Sequence, residues 1–212
     1  MSKSASSFSP LPVTRIIVAV FSIVMGATLG TLFLALKPVV KLAADVELGA
    51  PAPDVVYYFE GKRENERIRI ASDTYNSFLS GFSFKVDEID LNALRLTEFE
   101  SSGSFYKISA PSFRLRDDQL QIGVSMHLYV YGYLIATLVQ TRGTFVRKGG
   151  IFAFDPQTMW IGSCPVHRLP LLGSPVMDKV IGSQTWPETV VTAWTKLSEV
   201  RVSDSSLSLT VQ

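Results

Sequence analysis

Between residues 120 and 131, apolar and polar side chains alternate at almost every step. Leu120, Ile122, Val124, Met126, Leu128 and Val130 share one side of an extended chain, and Gln121, Gly123, Ser125, His127, Tyr129 and Tyr131 share the other. A period of two marks a strand with one buried face. At about 3.3 Å per residue the run reaches roughly 40 Å, about twice a usual strand. Gly132 offers a reversal, and LIATLVQTRGTF (134–145) returns as a second long strand. Both of its sides are partly apolar, with Leu134, Ala136 and Leu138 on one and Ile135 and Val139 on the other. Its outer side therefore needs a cover as well. Gly149 and Gly150 make the next turn, and IFAFDPQTMWIGS (151–163) is a further strand with a break near Pro156. Residues 113–162 thus predict a meander of three or four long antiparallel strands.

Before the meander, VVYYFE (55–60) and RIRI (67–70) read as strands around a polar turn. ASDTYNSFLSGF (71–82) changes to helical period, with Ser72 or Asp73 as cap, Tyr75, Phe78 and Leu79 on one face, and Gly81 as the stop. FKVDEIDL (84–91), ALRLTEFES (93–101) and SFYKISAPSFRLR (104–116) read as strands, the last broken at Pro111, before the polar turn RDDQ. After the meander, Ser174 and Pro175 predict a helix start, with Val176, Val180 and Ile181 on its buried side. TWPETVVTAWTKLSEV (185–200) predicts a second helix with Val190, Trp194 and Leu197 on one face. VRVSDSSLSLTV (200–211) is a hairpin around SDSS.

A flat sheet of such strands would leave too much apolar surface open in a domain of this size. Sheets twist, and a long one can curl around a helix or around a lipid-shaped cavity. The expected fold is α+β: a long curved antiparallel sheet wrapping one or more helices, preceded by a single transmembrane helix.

That helix is read from IIVAVFSIVMGATLGTLFLAL, Ile16 to Leu36, 21 residues without a charge between Arg15 and Lys37. It would rise roughly 31 Å, the thickness of the bilayer hydrocarbon. A signal h-region is shorter, about 7–15 residues, and no small-x-small cleavage site follows, so an uncleaved anchor is expected. The expected organisation is a short tail (1–15), an anchor (16–36), a Pro- and Ala-rich linker (37–54) and one domain (55–212). Lys3 and Arg15 against Lys37 and Lys41 give no charge bias across the span. An N-terminal apolar segment ahead of a β-rich domain most often exports that domain. The expectation is a cytoplasmic N-terminus and an extracytoplasmic domain. Ser22, Gly26 and Gly30, spaced by four, would let two such helices associate into a homodimer.

Charge changes the picture little. Net charge is +1, and residues 1–41 hold four bases and no acid, so the remainder carries sixteen bases against nineteen acids. A mildly acidic domain argues against a nucleic-acid partner. The single cysteine, Cys164, excludes an internal disulfide and cysteine-based metal clusters. No GxSxG, HExxH, Walker or GxGxxG motif occurs. Ser163, Cys164 and His167 are close in sequence, but Pro165 extends the chain between them and turns Cys164 and His167 apart. Asp117 and Asp118 in a turn lack the further oxygens that calcium takes. His127 reads as a surface or interfacial residue, Trp194 as core, and Trp186 as a rim contact. No catalytic residue, metal or cofactor is expected.

The order SDTYNSFL, LRDDQLQIGVSMHLYVYGYLI, MWIGSCPVHRLPLLGSPVMDKVI, a Trp-Pro helix and VRVSDSSLSLTV resembles the YpmS-like family of membrane-anchored bacterial envelope proteins. More remotely it is similar to LmeA-like phospholipid-binding proteins, where a curved sheet wraps a helix around an apolar channel. GSCPVHR is more polar than that pattern. The resemblance implies an envelope protein whose partner is a membrane lipid. The residues expected to bind a lipid or other apolar ligand are Leu120, Ile122, Val124, Met126 and Leu128 on the sheet, with Leu171, Leu172 and Val176 at the start of the facing helix. The competing expectation is an envelope scaffold acting through protein–protein contacts.

Overall fold

The computed structural model describes residues 13–43, 55–62, 64–93, 101–102, 106–130, 132–169 and 188–212. It is α+β, with a large curved antiparallel sheet, a few helices and an N-terminal apolar helix. That helix, α1, spans Val13–Leu36. Two short strands follow, β1 (Val40–Leu42) and β2 (Tyr57–Phe59), paired in parallel. Residues 40–42 fall in the stretch read as linker, yet they pair with the domain.

A 3₁₀ turn at Asn65–Arg67 leads into α2, Ile68–Leu79. The strand expected at 67–70 is therefore helix. Four alternating residues fit either period, and burial decides: Ala71 and Phe78 face the core while Ile68 and Ile70 stay exposed. Ser72 and Asp73 lie inside the helix and cap nothing. The strand expected at 84–91 also divides, into β3 (Phe84–Asp87) and α3 (Glu88–Ala93). Here side-chain bonding overrides local pattern. Glu88 accepts from the backbone N–H of Lys62 (2.8 Å) and of Leu115 (2.9 Å). Asn92, 1% exposed, accepts from Phe113 N–H and donates to Phe113 O, both at 2.7 Å. Most of the strand expected at 93–101 lies outside the described residues.

The large sheet holds seven described strands: β4 (Ser101–Ser102), β5 (Tyr106–Ile108), β6 (Ser112–Arg116), β7 (Gln119–Val130), β8 (Tyr133–Lys148), β9 (Ile151–Ile161) and β10 (Cys164–Pro165). Their order is β10-β9-β8-β7-β5-β4, and β6 shares the edge of β7 with β5. The meander is as expected. The RDDQ turn puts both Asp117 (φ 54°) and Asp118 (φ 55°) in the left-handed region, as a two-residue hairpin loop of the primed kind requires. The break at Pro156 is a bulge: Arg142 faces Thr158 but Gly143 faces Pro156, which leaves Gln157 unpaired. A bulge accommodates proline, which has no N–H for the ladder.

The chain closes with α4 (Glu188–Thr195), β11 (Leu197–Val202) and β12 (Ser206–Val211). The helix expected to reach residue 200 stops at Thr195, because Leu197 onward pairs with β12, which pairs in turn with β3. Leu197 is buried all the same, at 3% exposure. The helix expected from Ser174 lies outside the described residues. The core joins Phe78 of α2, Val190 and Ala193 of α4, and Leu197, Leu207 and Leu209 of the small sheet to Leu115 and Leu120 of the large one. Trp194 packs against this cluster, as expected, with Phe78 and Phe145 at 6.3 and 5.6 Å between ring centres. Its indole N–H donates to Phe152 O, which satisfies its one polar atom.

Candidate functional site: a sheet with two unlike ends

The five sheet residues expected to bind ligand share one face of β7, but the structure divides them. Leu120 is 5% exposed and belongs to the core, and Ile122 packs against it. The protein's own side chains fill that end. Val124, Met126 and Leu128 continue the face toward the β7–β8 hairpin and are half-buried. On β8 they face Val139, Thr137 and Ile135. Beyond them Tyr129, Tyr133 and Leu134 stand exposed. Leu171, Leu172 and Val176 lie outside the described residues.

α1 joins the sheet at this same end. The last four carbonyls of a helix lack intrahelical partners, and two of the last ones here are met by the domain. Ser163 N–H donates to Leu34 O at 2.9 Å, and Thr137 Oγ1 donates to Ala35 O at 2.8 Å. The approach depends on Gly162, at φ 55°, whose Cβ, if present, would lie 2.2 Å from Ala35 O. Sequence reading missed this use of the polar GSCPVHR segment. Lys41 Nζ reaches Ser125 Oγ at 3.0 Å. The chain then moves away from the hairpin: Gln140 donates to Tyr57 O (3.5 Å) and Gln121, farther along, donates to Phe59 O (3.1 Å). The hairpin end is therefore the α1 end of the sheet. Residues Ile17–Leu36 form a candidate membrane span of mean hydropathy 2.3, with none of that stretch buried. Ser22, Gly26 and Gly30 all sit on exposed helix, and no atom approaches within 4 Å of a Cβ built at either glycine.

The opposite end carries a polar pocket of about 150 Å³ on the other face. Arg114, Gln121 and Arg142 lie side by side on neighbouring strands, and Arg116, Asp117 and Phe59 complete the rim. Arg114 is 9% exposed, and its guanidinium lies 4.4 Å from the centre of the Phe59 ring. Burial, then the neighbouring Arg116, push its pKa below the ordinary arginine value. Arg142 Nε donates to Gln121 Oε1 at 2.9 Å. The ion pairs among the described residues, Arg67–Asp90 and Lys148–Asp155, involve none of these arginines. The alternation of β7 predicted a polar face. It could not show that register aligns arginines from β6 and β8 across it.

Residues 163–167 hold no assembled nucleophile. Cys164 is buried, and burial pushes its thiol pKa up, away from the reactive thiolate. His167 Nδ1 contacts the backbone of Met159, 3.0 Å from its carbonyl O, and its ring packs 5.3 Å from that of Trp160. Among the described residues no group of three His, Cys, Asp or Glu side chains is placed to hold a metal.

Comparison with family models, with curated proteins and with solved structures gives no match for this chain.

Proposed function

We propose that the chain is a single-pass membrane protein with a cytoplasmic N-terminus and an extracytoplasmic domain. The domain binds a lipid or similar apolar molecule on the α1 end of the β7–β8 face and catalyses no reaction. One observation carries this reading. Thr137, which bonds the last turn of α1, stands directly opposite Met126 in the ladder. The half-buried residues Val124, Met126 and Leu128 thus border the end of the candidate span. An acyl chain leaving the bilayer beside α1 would find this half-buried apolar row next to the junction. Each methylene withdrawn from water would contribute about 0.8 kcal/mol, so no charged contact is needed. The motif order that resembles the YpmS-like family supports the same reading.

The test is extraction of the full chain in mild detergent, followed by mass spectrometry of bound lipid. One lipid class should co-purify with the wild-type chain and be lost from Met126→Asp. Equal lipid in both, or none in either, contradicts the reading. The scaffold reading is favoured by a separate observation: pairing of β8 with β9 ends at Val139–Ile161 and Gly162 N–H donates to Leu138 O, so residues 133–136 of β8 have no partner on that side from β9. An edge of this kind can accept a strand from another chain. A lipid-free protein that cross-links to a partner through residues 133–136 would select that alternative.

A further inference from the structure

We propose that the pocket formed by Arg114, Arg116 and Arg142 is a binding site for a phosphate monoester or inorganic phosphate. The site lies on the face opposite the apolar residues and is independent of the lipid reading. Arg142 is five residues from Thr137 along β8, so the pocket is about 17 Å from the α1 junction.

The argument begins with Arg114. A guanidinium taken from water needs a compensating charge or hydrogen bonds. Arg114 is nine-tenths buried and has no carboxylate in ion-pair contact among the described residues. Its support is the Phe59 ring, which holds the planar group in place without neutralising it. No buried side-chain nitrogen or oxygen among the described residues lacks a partner, so its free donors open into the pocket. Arg142 is also held, by Gln121, whose own Nε2 donates to Phe59 O. Two of the three cations are therefore oriented before any ligand arrives.

Charge selects the ligand class. Three guanidiniums and one carboxylate, Asp117, line the pocket, which leaves two positive charges uncompensated. Glu88 also acts on Arg114 electrostatically, but it is committed to the backbone N–H groups of Lys62 and Leu115. A phosphate monoester carries about −1.5 to −2 at neutral pH and matches that surplus, whereas a single carboxylate meets half of it. Planar donor forks also suit paired phosphate oxygens.

The experiment titrates inorganic phosphate into the full chain in phosphatidylcholine nanodiscs, at constant ionic strength set with chloride, by calorimetry and by thermal denaturation. Wild-type chain should show saturable binding and a rise in Tm. Arg142→Gln should bind at least tenfold more weakly, and its phosphate response is read as a shift from its own unliganded Tm, which falls with the loss of the bond to Gln121. Arg114→Lys, which keeps the charge but loses the fork, should also bind more weakly. A second set of discs containing phosphatidic acid distinguishes the source. Stabilisation there that Arg142→Gln abolishes, with no further gain from phosphate, supports the site and assigns its ligand to a lipid headgroup. No saturable response to phosphate or phosphatidic acid, or an equal response in Arg142→Gln, overturns the proposal.

Discussion

The two ends of the long β7–β8 ladder are built from the same alternating sequence, yet they are completed differently. At the far end, Leu120 and Ile122 are covered by α2, α4 and the small sheet, and the reverse face buries Arg114 against Phe59 of β2. At the α1 end the same face continues through Val124, Met126 and Leu128 with side chains only half-buried, beside the end of a candidate membrane span. Alternation states which side of a strand is apolar. What covers that side depends on the neighbours that the rest of the chain brings to each row.

The largest effects should fall at the far end. Leu120→Ala removes a fully packed side chain and should cost about 3 kcal/mol in denaturant unfolding, whereas Leu128→Ala should cost about 1 kcal/mol or less. Equal losses at both positions would erase the distinction between the ends. Asn92→Ala should rank beside Leu120→Ala at about 3 kcal/mol, because it strips the partners from both the N–H and the C=O of Phe113.

The junction with α1 should be sensitive in a different way. Gly162→Ala places a methyl group against Ala35 O and imposes strain at positive φ, so about 2 kcal/mol and faster proteolysis between residues 36 and 43 are expected. Gly149→Ala is the control. It also has positive φ but no atom within 4 Å of a Cβ, so it should cost about 1 kcal/mol and leave the junction protected. A junction equally protected in both variants would mean that α1 is not held by the sheet.

Cys164 gives a pH-dependent test at the same place. Its folded pKa is raised by burial, so its contribution to stability is complete below the ordinary thiol pKa and is lost as pH rises through the folded value. Maleimide labelling at neutral pH should be slow in the folded chain and rapid after denaturation. Fast labelling of folded protein would show that the 162–164 turn is open. The smallest effect is expected at the exposed Lys148–Asp155 pair, where Lys148→Ala should change stability by about 0.5 kcal/mol or less.

The long strands were legible because a period of two persists through twelve residues of β7 and the turns are marked by Asp117–Asp118, Gly132 and Gly149–Gly150. Short elements were not. RIRI and DEIDL carry too few residues to separate the two periods, and long-range contacts decided them: the burial of Ala71 and Phe78, and the bonds from Glu88 and Asn92 to β6 and its surroundings. The helix at 188 ended early because Leu197 was taken up by β12, a pairing that no local signal encodes. Of the expected site, the apolar side was legible and its division was not, since that rests on where α2 and α4 dock. The arginine pocket was invisible because it depends on register across β6, β7 and β8.

The most direct measurement places a photoreactive benzoyl-phenylalanine at position 126 or, for comparison, at the exposed position 148 at the far end of β8, in the full chain in native-lipid nanodiscs. Irradiation followed by mass spectrometry reads which positions form lipid adducts. The expected result is a lipid adduct at 126 and none at 148. Adducts at both positions to the same extent, or none at 126, would contradict the claim that the α1 end of the sheet is where this domain meets lipid.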